Sequence, residues 1–125
     1  MAAEKMFENK IKNYLKNHGV YPLGTPEDKM AVKPVGYYEK RWGGGRFVKS
    51  GLPDLHIVIR GMSLEVEVKA QDGIESELQK QKREQIIASG ALAYVVYPSG
   101  WLRLKDIIDG LLIEKFNREE EVILK

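Results

Sequence analysis

Apolar and polar residues alternate along two neighbouring stretches, Leu55 to Arg60 and Met62 to Ala70, and the alternation predicts a pair of strands. The gap between them, Arg60-Gly61-Met62-Ser63, is short enough for a tight hairpin. With the turn centred on Gly61-Met62, Ile59 faces Leu64, Ile57 faces Val66, Leu55 faces Val68, and Asp54 lies across from Lys69. Strand side chains point alternately to opposite faces. One face therefore carries Leu55, Ile57, Ile59, Leu64, Val66 and Val68, and the other Asp54, His56, Glu65, Glu67 and Lys69.

Helical spacing appears on both sides of this pair. Phe7, Ile11, Tyr14 and Leu15 recur at three- and four-residue intervals, predicting a helix from Glu4 to Asn17 that stops at His18-Gly19. Thr25-Pro26-Glu27-Asp28 offers a cap, a proline suited to the first helical position and early acids, so a short helix is expected there, ending by Pro34. After Lys69, a loop from Ala70 to Glu75 leads to a helix opened by Ser76 and closed near Ser89-Gly90. Ala91 to Tyr97 is nearly all apolar, as in a strand buried on both faces. Strand, helix, strand implies a crossover that sets this strand parallel to the one carrying Glu67. Trp101 to Leu104 reads as a short strand, and Leu104, Ile107, Ile108, Leu111 and Leu112 trace a helical face. At the end, Val122-Ile123-Leu124 follows an acidic run and is expected to pair with a second subunit's sheet or to fray. The fold class is α/β, a mixed central sheet flanked by helices, in one domain spanning 1–125.

Composition narrows the function classes. The chain has 125 residues, no cysteine and a net charge of +2. A disulfide framework, a thiol nucleophile and a cysteine zinc site are excluded. No apolar run could span a bilayer and no secretory leader is evident, so a cytoplasmic protein without a membrane partner is expected, host-cytoplasmic if virus-encoded. Polyanion binding cannot be argued from so small a total charge, but the distribution is uneven. Between Lys29 and Lys49, Lys29, Lys33, Lys40, Arg41, Arg46 and Lys49 face the single acid Glu39, with Tyr37, Tyr38, Trp42 and Phe47 interleaved and Gly43-Gly44-Gly45 among them. Cations neutralise phosphates and aromatic planes stack on bases. Lys40, Arg41, Trp42, Arg46, Lys49 and Ser50 are thus candidate nucleic-acid contacts; the plainer account is a flexible hairpin whose aromatics pack on the sheet.

Three acids and a lysine on one face of a hairpin repel or sit idle unless something cationic joins them. Carboxylate oxygens suit magnesium or manganese, which keep several waters and bridge to substrate phosphates. Asp54 and Glu67 are the candidate metal ligands. Taken singly these residues are weak signals: Asp54 is a common turn residue after proline, and Glu67 with Lys69 a common solvated strand face.

In combination, Pro53-Asp54 followed by Glu67-Val68-Lys69 resembles the signature of the PD-(D/E)xK nuclease superfamily. The fuller set, Lys49-Ser50-Gly51-Leu52-Pro53-Asp54 with Glu67-Val68-Lys69 and Ser76-Glu77-Leu78-Gln79, is similar to its virus-type replication-repair branch, the VRR-NUC domain, over roughly Glu4 to Pro98. The resemblance implies a restriction-endonuclease-like core and metal-dependent hydrolysis of DNA, with branched forms such as four-way junctions among its substrates. It implies that Asp54, Glu67 and the Val68 backbone carbonyl hold one or two Mg²⁺ or Mn²⁺ ions, and that Lys69 positions water or stabilises developing charge. It also implies that an acid on the first helix, best matched by Glu8 rather than Glu4, supports the site together with Gln79, and only weakly Gln81. Two bland accounts stand beside these: Glu8 as an exposed partner of Lys12 one turn on, and Gln79 as the closing member of a capping box with Ser76. His56 reads as a polar neighbour or a DNA contact, since a zinc site is not expected with one other histidine. Symmetric cutting of a junction needs two sites related by a twofold axis, so a homodimer is expected. The rival readings are a nuclease-fold DNA-binding module without catalysis and a nucleoprotein scaffold with a structural metal.

Overall fold

A computed structural model of the chain describes residues 2–41, 51–116 and 118–125. Helix α1 (Ala2–Asn17) leads into strands β1 (Val20–Pro22), β2 (Gly36–Lys40), β3 (Leu55–Ile59) and β4 (Met62–Val68). Helix α2 (Glu77–Ala88), β5 (Leu92–Val96), α3 (Trp101–Leu112) and β6 (Ile123–Leu124) complete the order. The six strands form one mixed sheet in sequence order, antiparallel at β2–β3 and β3–β4 and parallel at β1–β2, β4–β5 and β5–β6. The chain is thus an α/β protein, and the parallel β4–α2–β5 unit is as expected.

The hairpin register differs from the expected one by two residues. Leu55 pairs with Val66, Ile57 with Leu64 and Ile59 with Met62. The turn is Arg60-Gly61, with φ of 48° and 82°. Two successive left-handed residues make the turn whose twist matches that of the strands, and glycine takes that conformation without steric cost. Arg60 is held in it by its amide on the Val35 carbonyl (2.8 Å) and its Nε on the Leu112 carbonyl (2.6 Å). Because side chains repeat every two residues, a slip of two preserves the faces. Leu55, Ile57, Ile59, Leu64, Val66 and Val68 are all buried in the core. What changes is the partner of Asp54: one step beyond Leu55–Val66, the register sets it opposite Glu67 rather than Lys69.

Three other expectations are corrected. The helix expected after Thr25 shrinks to one 3₁₀ turn, Glu27–Lys29, while the plainer account of the basic stretch holds in its described part, where β2 pairs antiparallel with β3 and Tyr38 is buried against the sheet. Trp101 to Leu104 is not a strand. A 3₁₀ turn at Pro98–Gly100 feeds directly into α3, and Trp101 stands edge-on to Phe7 and Tyr14 of α1, adding to the helical face rather than to the sheet. Val122 to Leu124 neither frays nor needs a second subunit: the Val122 and Leu124 carbonyls accept from the Val95 and Tyr97 amides at 2.8 and 2.9 Å, and Leu124 is fully buried. Two of three residues in that scrap thus complete the edge beside a strand already apolar on both faces.

Phe7, Ile11 and Leu15 of α1 and Leu104, Ile107, Ile108 and Leu111 of α3 form one apolar cluster with the inward residues of β3, β4 and β5. The Tyr14 hydroxyl donates to Asp109, tying the two helices together. Helix α2 reaches the opposite face, where its first turn meets the acidic side of β4. Among the described residues no helix is long and apolar enough to cross a membrane.

If β6 is an integral strand, Leu124→Ala costs about 2–4 kcal/mol, as for other buried leucine truncations. Urea unfolding followed by circular dichroism measures it, and an unchanged midpoint would mean that the C-terminus contributes nothing.

Candidate active site

Asp54 stands one residue before β3, directly after buried Pro53, and Glu67 stands one residue before the end of β4. The Val68 amide donates to Asp54 Oδ2 at 2.7 Å, fixing one carboxylate oxygen at the open end of the hairpin. The Asp54 carbonyl accepts from the Arg41 amide at 2.7 Å, so the end of β2 is fastened to the same corner. Gly51, three residues earlier, has φ of 82°, and a side chain there would meet Leu78 of α2 at 2.7 Å. Only glycine brings the Gly51-Leu52-Pro53 approach this close to α2.

Glu67 is 4% exposed, an extreme position for a carboxylate. Its Oε2 accepts from Gln79 Nε2 at 2.8 Å and lies 3.7 Å from Lys69 Nζ. Lys69 Nζ in turn donates to Gln79 Oε1 at 2.9 Å. The Gln79 amide thus spans the acid and the lysine, presenting its NH₂ to one and its oxygen to the other. The capping box is also present, with the Gln79 amide on Ser76 Oγ (3.1 Å) and the Ser76 amide on Gln79 Oε1 (2.9 Å). The two readings of Gln79 are therefore one arrangement: the cap locks the rotamer that meets Glu67 and Lys69. The preceding loop is pinned by Glu75 to Arg83, through two hydrogen bonds of 2.8 and 3.0 Å, and by the Tyr97 hydroxyl on the Gly73 carbonyl.

Glu8 approaches from α1. It is 3% exposed, while Glu4 is only half-buried. Its Oε1 accepts from Lys40 Nζ at 2.5 Å, and Oε2 lies 2.9 Å from Lys12 Nζ. Oε2 is buried, and the Lys12 contact is an ion pair rather than an aligned hydrogen bond. Burial works to raise the Glu8 carboxyl, but the ammoniums of Lys40 and Lys12 outweigh it and hold it below the usual carboxylate range. The Lys40 ammonium also stands 3.7 Å from Asp54 Oδ1. Glu8 therefore reaches the site through a lysine.

Lys40 and Arg41, expected on nucleic acid, turn their side chains to acids of the protein, Lys40 to Glu8 of α1 and Asp54, and Arg41 to Glu65 of β4. Arg41 forks onto Glu65 at 2.6 and 3.1 Å, and His56 Nδ1 lies 2.7 Å from Glu65 Oε1. The third acid of the face is thereby occupied, and His56 is its polar neighbour. Trp42, Arg46, Lys49 and Ser50 lie outside the described residues. The link from Lys40 to Glu8 and Asp54 has no signature in the sequence, because it joins residues 32 and 14 positions apart across three elements.

Asp54 and Glu67 act on each other electrically. Burial first, and then the charge and hydrogen bonding of Asp54, push the Glu67 carboxyl up to about 9, with Lys69 pulling the other way. Two carboxyls close enough to share a proton, one of them buried, form a hard oxygen pair that a divalent cation can satisfy in the proton's stead. Among the described residues no three of His, Cys, Asp and Glu gather as a complete cage. A pair of carboxylates suits ions such as magnesium, which take one or two of them and keep several waters. No protein-family model, curated protein or solved structure matches the chain.

A carboxyl that holds its proton to about pH 9 when folded, against about 4.5 when unfolded, makes the metal-free fold lose stability as pH rises between those values. Glu67→Gln removes that loss. In a chelating buffer the variant is expected to exceed wild type by on the order of 2 kcal/mol at pH 8, with the gain from this titration fading towards pH 5. Urea melts at both pH values test this; equal wild-type and variant pH slopes would show that Glu67 ionises normally.

Proposed function

We propose that this chain is a metal-dependent DNA endonuclease of the PD-(D/E)xK type, akin to the VRR-NUC branch. The observation that carries the reading is the meeting of Asp54, Glu67 and Lys69 at one end of the hairpin, with Gln79 bridging the last two. Asp54, Glu67 and the Val68 carbonyl would hold one or two Mg²⁺ or Mn²⁺ ions. The chemistry supplied there is Lewis-acid polarisation of a phosphate and acidification of water. Lys69, steered by Gln79, presents its ammonium where negative charge builds as phosphorus is attacked. The buried Glu67 flank keeps bulk water from one side of the pair, and Glu8 steadies Asp54 through Lys40.

An open cavity of about 370 Å³ beside the site is lined by Lys12 and Lys40, with Pro22, Leu23, Tyr38 and Glu39. Both ammoniums are paired with Glu8, so a phosphodiester strand approaching Asp54 along this cavity would share them with that carboxylate. A symmetric branched substrate such as a four-way junction calls for two such sites, and hence for a homodimer.

The rival reading, a binding module without catalysis, keeps the charge but needs no lysine bridged to the buried acid. Cleavage of flap, splayed and four-way DNA in Mn²⁺ separates them. Asp54→Ala and Lys69→Ala are each expected to reduce cleavage about 10³-fold while leaving DNA binding in place. Wild type that binds every substrate and cuts none would make the module reading correct. Light scattering at micromolar concentration tests the dimer, which a monomeric mass would remove.

A further inference from the structure

Lys40 ends β2, and the strand, not a loop, sets its place: its backbone pairs with Leu55, and the next amide is bonded to the Asp54 carbonyl. From there its ammonium enters between two acids of different elements, 2.5 Å from Glu8 Oε1 and 3.7 Å from Asp54 Oδ1. Both oxygens of Glu8 already face ammoniums, since Lys12 Nζ lies 2.9 Å from Oε2. On the far side of Asp54, Glu67 brings a second carboxyl; the Lys69 ammonium lies as far from Glu67 as Lys40 does from Asp54, 3.7 Å, but it is held to Gln79 Oε1 at 2.9 Å and not to a second acid.

Resting on the reading of Asp54 and Glu67 as a metal site, we infer that Lys40 is a built-in substitute for a second divalent cation, so that the site takes one ion, on the Glu67 side of Asp54. A dication shared by Glu8 and Asp54 would have to occupy the volume of the ammonium, against the repulsion of Lys40 and Lys12. Lys40 is thus a positioning residue: it fixes the Asp54 carboxylate from one side and leaves the other side for the ion. Glu8 holds Lys40 and is not itself a ligand. The arrangement gives a site with one exchangeable cation and one that is part of the chain.

Titration of the 125-residue chain with Mn²⁺ alone, free ion being followed by electron paramagnetic resonance, counts the sites without relying on activity. Wild type is expected to bind one Mn²⁺ per chain. Lys40→Met, which keeps the stem and removes the charge, is expected to bind two, and Lys40→Arg to return the count to one. Glu8→Gln is expected to keep one ion, bound about tenfold more weakly as is usual for loss of an outer support. Near-ultraviolet circular dichroism establishes that each variant is folded. Two ions on wild type, one on folded Lys40→Met, or none on Glu8→Gln would overturn the inference while leaving the Asp54–Glu67 metal site standing. No ion on wild type would remove that metal site as well. Should Lys40→Met fail to fold, Lys40→Gln replaces it, and the wild-type count remains decisive.

Discussion

Two carboxyls set face to face at the mouth of a hairpin are the constraint around which this molecule is arranged. The Arg60-Gly61 turn fixes a register in which Asp54 comes opposite Glu67, and the Val68 amide holds Asp54 there. Nothing about folding favours this pair. One of its members is almost wholly buried, and the neighbouring acid together with burial drives that carboxyl far above its ordinary range. A fold that tolerates such a site must be held firmly elsewhere, and the extensive core of α1, α3 and the sheet supplies that.

The surroundings divide the acids of the sheet by role. Glu65 is matched outright by the Arg41 fork and His56, which is how a buried carboxylate is ordinarily made tolerable. Glu67 receives a neutral amide and a lysine at a longer distance, so its charge is only partly compensated. Adjacent positions of like chemistry on one strand face thus differ because their partners differ. The partly compensated one is where a cation has something to gain.

Rigidity at the site comes from two directions. Helix α2 contributes Gln79, whose rotamer is locked because the same oxygen closes the helix cap. Helix α1 contributes Glu8, which acts through Lys40 and so couples the helix to β2 and Asp54 at once. Loops alone would not hold these groups to hydrogen-bonding tolerance; here each polar group is anchored by a strand end or a helix turn.

Much of this is written locally. The alternation around Asp54 to Lys69, the spacing of Phe7, Ile11 and Leu15, the Ser76 cap and the apolar run at Leu92 to Val96 each state an element and its buried face, because strand and helix periods are properties of neighbouring residues. That Asp54, Glu67 and Lys69 share one face was legible for the same reason, since parity survives a register slip of two, whereas Glu8 and Gln79 rest on the resemblance to the nuclease family and not on periodicity. Which acid stands against which was not legible, because it turns on whether Arg60 or Met62 enters the turn, and contacts with Val35 and Leu112 bias that choice. The short strands β1, β2 and β6, the helical state of Trp101 to Leu104, and the insertion of Lys40 between Glu8 and Asp54 all depend on partners distant in the chain. Such pairings are decided only when the sheet closes, by backbone groups and charges that must find partners once water is excluded.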